Sequence, residues 1–270
     1  MAEIKTVEKP KLVLPKTLMA PTRTSPKTAI WTGLPKCGKT TILSKLPNHL
    51  NVDAEKGSDM VTATRIQPPL DAGPVAIWNW LKEVAAMIRE EGRPYEHVII
   101  ETLSYLDELS EWVGTYNYMM SPQGKKFNRV GNVEGAPIIK PGSRDYQSVH
   151  TVGEGYGYRW SREAMTEIFD ITKDLGTVCT HYVCHISDKY VASKTNAATQ
   201  IRIMELSLTG KLKNIIPRDV DAIGYLYQKN GVLNVSFKGS EEKSGGIRGE
   251  NSPLQGYEGP LDWNLIFRPK

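Results

Sequence analysis

Residues 33–40 read Gly33-Leu34-Pro35-Lys36-Cys37-Gly38-Lys39-Thr40, which is the spacing GxxxxGK[ST], and Thr41 continues the segment. The two glycines let the backbone curl so that successive N–H groups point inward at a phosphate. Lys39 then neutralises the β- and γ-phosphates, and the Thr40 hydroxyl is offered to Mg²⁺. The motif needs a strand before it and a helix after it. Thr28-Ala29-Ile30-Trp31-Thr32 is a short apolar run of the buried-strand kind, and residues 39–46 can form a helix stopped by Pro47. Residues 33–41 therefore read as a nucleotide-binding loop. Cys37 within it reads as a small filler.

Strand and helix patterns alternate downstream. Residues 50–53 and 97–101 are apolar runs ending in acids, and 177–185 is another strand. Residues 74–91 place Ile77, Leu81, Val84, Ala85 and Ile88 on one helical face, with Pro74 in the first turn and Gly92 after the end. A helix is expected over 104–112, and a further one carries Trp160, Ala164, Ile168, Ile171 and Leu175. Residues 113–157 lack a period. The ending differs: 201–206, 222–227 and 232–237 read as strands, with Lys229-Asn230-Gly231 as a hairpin turn, and 263–267 reads as one more strand. The pattern predicts an α/β fold, with a mostly parallel sheet, helices on both faces and an antiparallel C-terminal extension.

The chain of 270 residues has a formal net charge of +4, and residues 1–27 hold six basic groups against Glu3 and Glu8. The remainder is balanced, which argues against duplex DNA binding by bulk electrostatics. Evenly spaced prolines make 1–27 an extended basic arm, leaving 28–238 as the core and 239–270 as a tail. No apolar run reaches bilayer length, Leu12-Val13-Leu14 falls short of a signal-peptide core, and three cysteines without a CxxC pair suit a reducing compartment. A soluble, cytoplasmic protein with no membrane partner is expected.

A nucleotide loop of this kind needs a carboxylate at a neighbouring strand end for the Mg²⁺ shell. Glu101, after His97-Val98-Ile99-Ile100, stands in that place. A second strand ends Val52-Asp53-Ala54-Glu55.

At these residues the chain resembles the RecA family, and more of it resembles the phage RecA-like single-strand annealing ATPases (the fourth Sak-type group). The resemblance runs over residues 28 to about 228. It is carried by the P-loop, Asp53-Ala54-Glu55-Lys56-Gly57, Ile99-Ile100-Glu101-Thr102, the strand ending in His185, and Gly210-Lys211-Leu212 before Pro217 and Asp221. Glu101 stands where Asp is usual. The resemblance implies a RecA-like P-loop core and DNA-dependent ATP hydrolysis with Mg²⁺. Glu55 would polarise the attacking water, His185 would sense the γ-phosphate, and Lys211 would act on a neighbouring subunit's nucleotide. It also implies homo-oligomers or filaments, single-stranded DNA as partner, and a phage single-strand binding protein as a further one.

By position, the two DNA-facing loops of such filaments are 113–157 and 186–200. The first offers Lys125, Lys126, Phe127 and Arg129, and the second Lys189 and Lys194. Cations for phosphates beside aromatic faces for bases suit a single strand. The expected function is ATP-dependent single-strand binding that promotes annealing or strand exchange. Two alternatives are a P-loop ATPase that loads a helicase or other replication protein, and a nucleotide-binding module with negligible turnover.

Overall fold

The computed structural model describes residue 14 and residues 16–192, 200–240, 243–249 and 252–267. Residues 1–13 and 15 of the expected arm, and Lys194, lie outside the described residues.

The phosphate-loop strand β1 (Thr28–Gly33) is buried along its whole length. It is followed by α1 (Lys39–Leu43), β2 (His49–Asp53), β3 (Arg65–Ile66), α2 (Pro74–Glu90), β4 (His97–Glu101) and α3 (Leu103–Met120). Then come α4 (Gly157–Thr172), β5 (Cys179–Cys184), β6 (Ile186–Ala192), β7 (Gln200–Leu206) and α5 (Leu212–Ile215). The chain closes with β8 (Ala222–Lys229), β9 (Val232–Ser236), β10 (Gly246–Ile247), β11 (Glu258–Pro260) and α6 (Trp263–Ile266).

Among the described residues a nine-stranded sheet runs β11-β9-β8-β1-β5-β4-β2-β3, with β10 against β8. The strands from β8 to β3 are parallel, and β9, β10 and β11 join antiparallel. Alternation along the strands feeds two cores. Ile30, Val52, Val98, Ile100 and Tyr182 pack under α2, α3 and α4. Ala29, Trp31, Ile99 and Val183 face the opposite side, against Leu43, Leu254 and Ile266. This is the mostly parallel α/β sheet with an antiparallel extension that the pattern predicted. No helix among the described residues is long and apolar enough to cross a membrane.

Four local expectations are corrected. The helix after the phosphate loop ends at Leu43 rather than 46. Helix α3 continues to Met120, well past 112, burying Val113, Gly114, Thr115, Tyr118 and Met119. The cause is tertiary: a Cβ on Gly114 would stand 2.6 Å from the Ser161 backbone nitrogen, so α4 crosses α3 at a point only glycine allows. Residues 186–200, expected as a loop, begin with β6, which pairs with β7 in a separate antiparallel ribbon from Ile186↔Leu206 to Ala192↔Gln200. Residues 263–266 form α6, not a strand, because Asp262 accepts the Asn264 amide at 2.9 Å and caps a helical turn.

Residues 121–156 contain three single 3₁₀ turns and bond largely to themselves. Asn128 Nδ2 donates to the Gln147 carbonyl at 2.8 Å, and the Gln147 amide donates back to Asn128 Oδ1 at 2.7 Å. Such mutual pairing lets a long irregular stretch hold one shape.

Candidate functional site

The carboxyl ends of β1, β2, β4 and β5 lie side by side, where ligands collect in sheets of this kind. At the end of β1, a Cβ on Gly33 would overlap the Leu226 carbonyl oxygen of β8. Gly38 sits at φ 100°, a left-handed conformation that glycine alone adopts freely. Lys39, directly after Gly38, is buried, and its Nζ donates to the Gly33 and Leu34 carbonyls, each at 3.0 Å. The amine is thus held inside the curve of the loop. Leu34, Pro35, Lys36 and Thr41 are exposed, and Cys37 is buried beneath them. Gln228 from β8 donates to the Cys37 carbonyl at 3.3 Å and ties the β8–β9 hairpin to the loop.

Asp53 and Glu101 are register partners at the ends of β2 and β4, yet their surroundings differ. Asp53 is fully buried and accepts from Ser58 Oγ at 2.6 Å, Gln67 Nε2 at 2.7 Å, and the Gly57 and Ser58 amides at 3.1 Å. Burial pushes its carboxyl up, but the bonds from Ser58, Gln67 and Gly57 outweigh that and hold it below the usual value. Asp53 is therefore spent on shaping the loop after β2. Glu101 is also buried, and its Oε1 has no partner among the described residues. Burial drives its carboxyl up to about 7; Asp53 and Glu55 push the same way, while the Thr40 hydroxyl and Lys39 pull against them.

This donor set fits the group implied by the loop. Thr40 and Glu101 are hard oxygen donors next to each other, and an unsatisfied buried carboxylate oxygen is what a divalent cation would complete. The loop curve, with Lys39 inside, fits a polyphosphate.

Glu55 is exposed and accepts from the Thr102 hydroxyl at 2.8 Å. Across the opening, the backbone N–H of His185 donates to Ser104 Oγ at 3.0 Å. The His185 ring is half-buried, and its Nδ1 has no partner among the described residues. Burial and the Lys39 charge hold it below its ordinary value, with Glu55 acting in the opposite sense. Glu55, Thr102, Ser104 and His185 line one cavity of about 420 Å³, with Asp107 and Thr209. Asp107 Oδ2 accepts the Thr209 amide at 2.6 Å. Ser104 and Asp107 carry no role in the sequence reading, and Thr102 enters it only as the end of the Ile99-Ile100-Glu101-Thr102 motif. Their signal was a polar residue at the cap and in the first turns of α3.

The expected DNA-facing residues do not form one group. Lys125 pairs with Glu134 at 3.0 Å, Phe127 packs edge-on against Tyr118, and Arg129 donates to the Ala136 carbonyl at 2.8 Å. Only Lys126 of that cluster is exposed and without a described partner. Lys189 is exposed on β6, beside exposed Tyr190. Lys211 is exposed and lines a second cavity, with Arg162.

The model of the AAA domain family matches residues 25–248. Comparison with curated proteins finds no match. Among solved structures, the chain is similar to the RadB recombinase, at 8% identity and a TM-score of 0.41, with 90% of each chain covered. It is also similar to a prototypical ATPase from the type III secretion system of pathogenic bacteria, at 8% identity and a TM-score of 0.42 over 76% of this chain. It spans 53% of that ATPase's length.

Proposed function

Because the chain belongs to the AAA domain family, we propose that it is a P-loop ATPase that uses ATP and Mg²⁺ to bind single-stranded DNA and promote annealing or strand exchange, as in phage recombination. The observation that carries the ATPase reading is the meeting of Lys39, Thr40, Glu101 and Glu55 at adjacent strand ends, with one Glu101 oxygen unpaired among the described residues.

In this reading the loop of residues 33–41 wraps the phosphates, and Lys39 meets their charge. Thr40 and Glu101 would hold the metal. Bound Mg²⁺ would supply positive charge that offsets the phosphate charge and would keep Glu101 ionised. Glu55, aimed by Thr102, orients and deprotonates the attacking water. His185 reads the state of the site from the end of β5 and passes it to the β6–β7 ribbon that begins one residue later. The DNA-binding half is supported by the exposed Lys126, Lys189 and Tyr190 and by the resemblance to single-strand annealing ATPases.

The deciding experiment measures ATP hydrolysis and annealing of complementary oligonucleotides, each with and without ATP and Mg²⁺, alongside Lys39→Ala. We expect annealing that depends on both ligands and is lost in the variant. Hydrolysis with no annealing favours a loader of another replication protein. Binding with no turnover favours a nucleotide module, the reading that the raised Glu101 carboxyl would suit.

A further inference from the structure

Between residues 154–162 and 209–212 lies a cavity of about 380 Å³, lined by Glu154, Tyr158, Ser161, Arg162, Gly210 and Lys211. Its cations stand out from their neighbours. Arg159 is taken up by Glu163 and Lys213 by Glu205, both at 2.6 Å. The side chains of Arg162 and Lys211 have no ion pair or hydrogen bond among the described residues. Arg162 is half-buried, which lowers the water competition for any anion it meets.

The aromatic wall is held firmly. The Tyr158 ring stacks on His150 with centroids 4.2 Å apart and planes 13° apart, while Tyr158 remains 43% exposed. His150 is fixed in turn: its Nε2 is 2.8 Å from Ser161 Oγ, and its Nδ1 is 3.6 Å from Glu111 Oε2. A ring ordered in advance accepts a second ring at small entropic cost.

We propose that this cavity is a phosphodiester site for single-stranded nucleic acid, in which Arg162 and Lys211 take one backbone phosphate and Tyr158 takes an adjacent base. The proposal rests on the reading above that this ATPase binds single-stranded DNA, and it adds a contact apart from Lys126 and Lys189. Two cations against Glu154 suit a single phosphate, and a stacked tyrosine suits any base without regard to sequence.

The same segment reaches the nucleotide site. The Ser207 amide donates to the His185 carbonyl at 2.9 Å, and the Thr209 amide to Asp107 at 2.6 Å. Lys211 follows two residues later. A phosphate drawn in by Lys211 thus pulls on a segment bonded to the strand-end histidine and to α3. Asp107 is the positioning residue of this link.

The test is fluorescence anisotropy with a labelled oligothymidine across a salt series, in ATP and Mg²⁺. The double variant Arg162→Gln, Lys211→Gln should bind about tenfold more weakly, and its salt slope should flatten by about 0.7, the value for one single-strand phosphate. Glu154→Gln should bind more tightly than wild type, a gain that misfolding cannot produce. Asp107→Ala should keep most of its affinity while losing the stimulation of ATP hydrolysis by DNA. If wild type binds and both cavity variants match its affinity and slope, the site is wrong and the DNA-binding reading stands. If wild type binds no oligonucleotide, both fall.

Discussion

The Thr102 hydroxyl donates to Glu55 Oε2 at 2.8 Å and accepts the Tyr105 amide at 3.1 Å, so the cap of α3 also aims the carboxylate that follows β2. The same end of α3 holds two more pieces of the site. Ser104 accepts the His185 backbone N–H, and Asp107 accepts the Thr209 amide. One buried helix, packed under the sheet by Leu103, Leu106 and Leu109, therefore sets three loops against each other. Placing the orienting groups on a rigid element fixes their positions more closely than loops could.

Glu55→Gln should retain nucleotide binding and slow hydrolysis by about 10²–10⁴. The amide oxygen can still accept from Thr102, so shape is kept and only the proton acceptor is lost. Single-turnover hydrolysis beside a nucleotide titration separates the two effects. Wild-type turnover in this variant would rule out Glu55 as the base.

Thr102→Val removes both bonds at once. Loss of the cap should cost about 1 kcal/mol of stability. Release of Glu55 should lower kcat much more than it raises KM, because in the proposed reading the group acts on water rather than on nucleotide binding. Thr102→Ser keeps the hydroxyl and should restore both. Thermal unfolding and steady-state kinetics on the pair would show it. A kcat unchanged in Thr102→Val would mean that Glu55 needs no aiming.

The features legible in the sequence were those fixed by local chemistry. The phosphate loop, the strand ends at Asp53 and Glu101, and the hairpin turn at Asn230-Gly231 announce themselves within a few residues. What stayed hidden depends on partners far along the chain. The second half of α3, around Val113-Gly114-Thr115, has poor helix formers and is stabilised by α4 crossing at Gly114. Asp53 and Glu101 look alike as strand-end acids, and only Ser58 and Gln67 show which of them is already occupied. Lys125, Phe127 and Arg129 have the composition of a single-strand site, but composition cannot show that Glu134, Tyr118 and the Ala136 carbonyl take them up.

Glu101→Gln should reveal the cost of burying this carboxylate through its pH dependence. The folded-state carboxyl titrates at about 7, above its ordinary value of 4.5, so between those values the folded state holds a proton that the unfolded chain has released. Stability from this group is therefore full below about 4.5 and lost as pH rises through 7. Without nucleotide or metal, Glu101→Gln should melt close to wild type at pH 5 and higher than wild type at pH 8. Hydrolysis should fall sharply in the same variant. Equal melting temperatures at pH 8 would mean that Glu101 is not a strained buried carboxylate.

The opposite end of the sheet should respond to acid. Trp31 Nε1 donates to His181 Nδ1 at 2.8 Å, which leaves His181 to donate from Nε2 to His97 Nδ1 at 2.9 Å. Both rings must be neutral to keep this chain of bonds. Burial holds both below the usual histidine value; for His97 the level is about 4, with His49 adding to the effect, and for His181 the further cause is His97. A lowered folded value means that the unfolded chain takes up protons first. Stability is then full above about 6.5 and is lost as pH falls toward 4. His97→Gln offers a carbonyl oxygen that can still accept from His181 and removes one of the two titrations. Carboxylates titrate in the same range, so the informative quantity is the difference between the two proteins. The variant should be somewhat less stable at pH 7.5, and its unfolding free energy should fall less steeply below pH 6, by up to about 1.4 kcal/mol per pH unit for one proton. Urea unfolding at half-unit steps from pH 7.5 to 4.5 measures both slopes, and parallel curves would show that His97 is not held neutral by the fold.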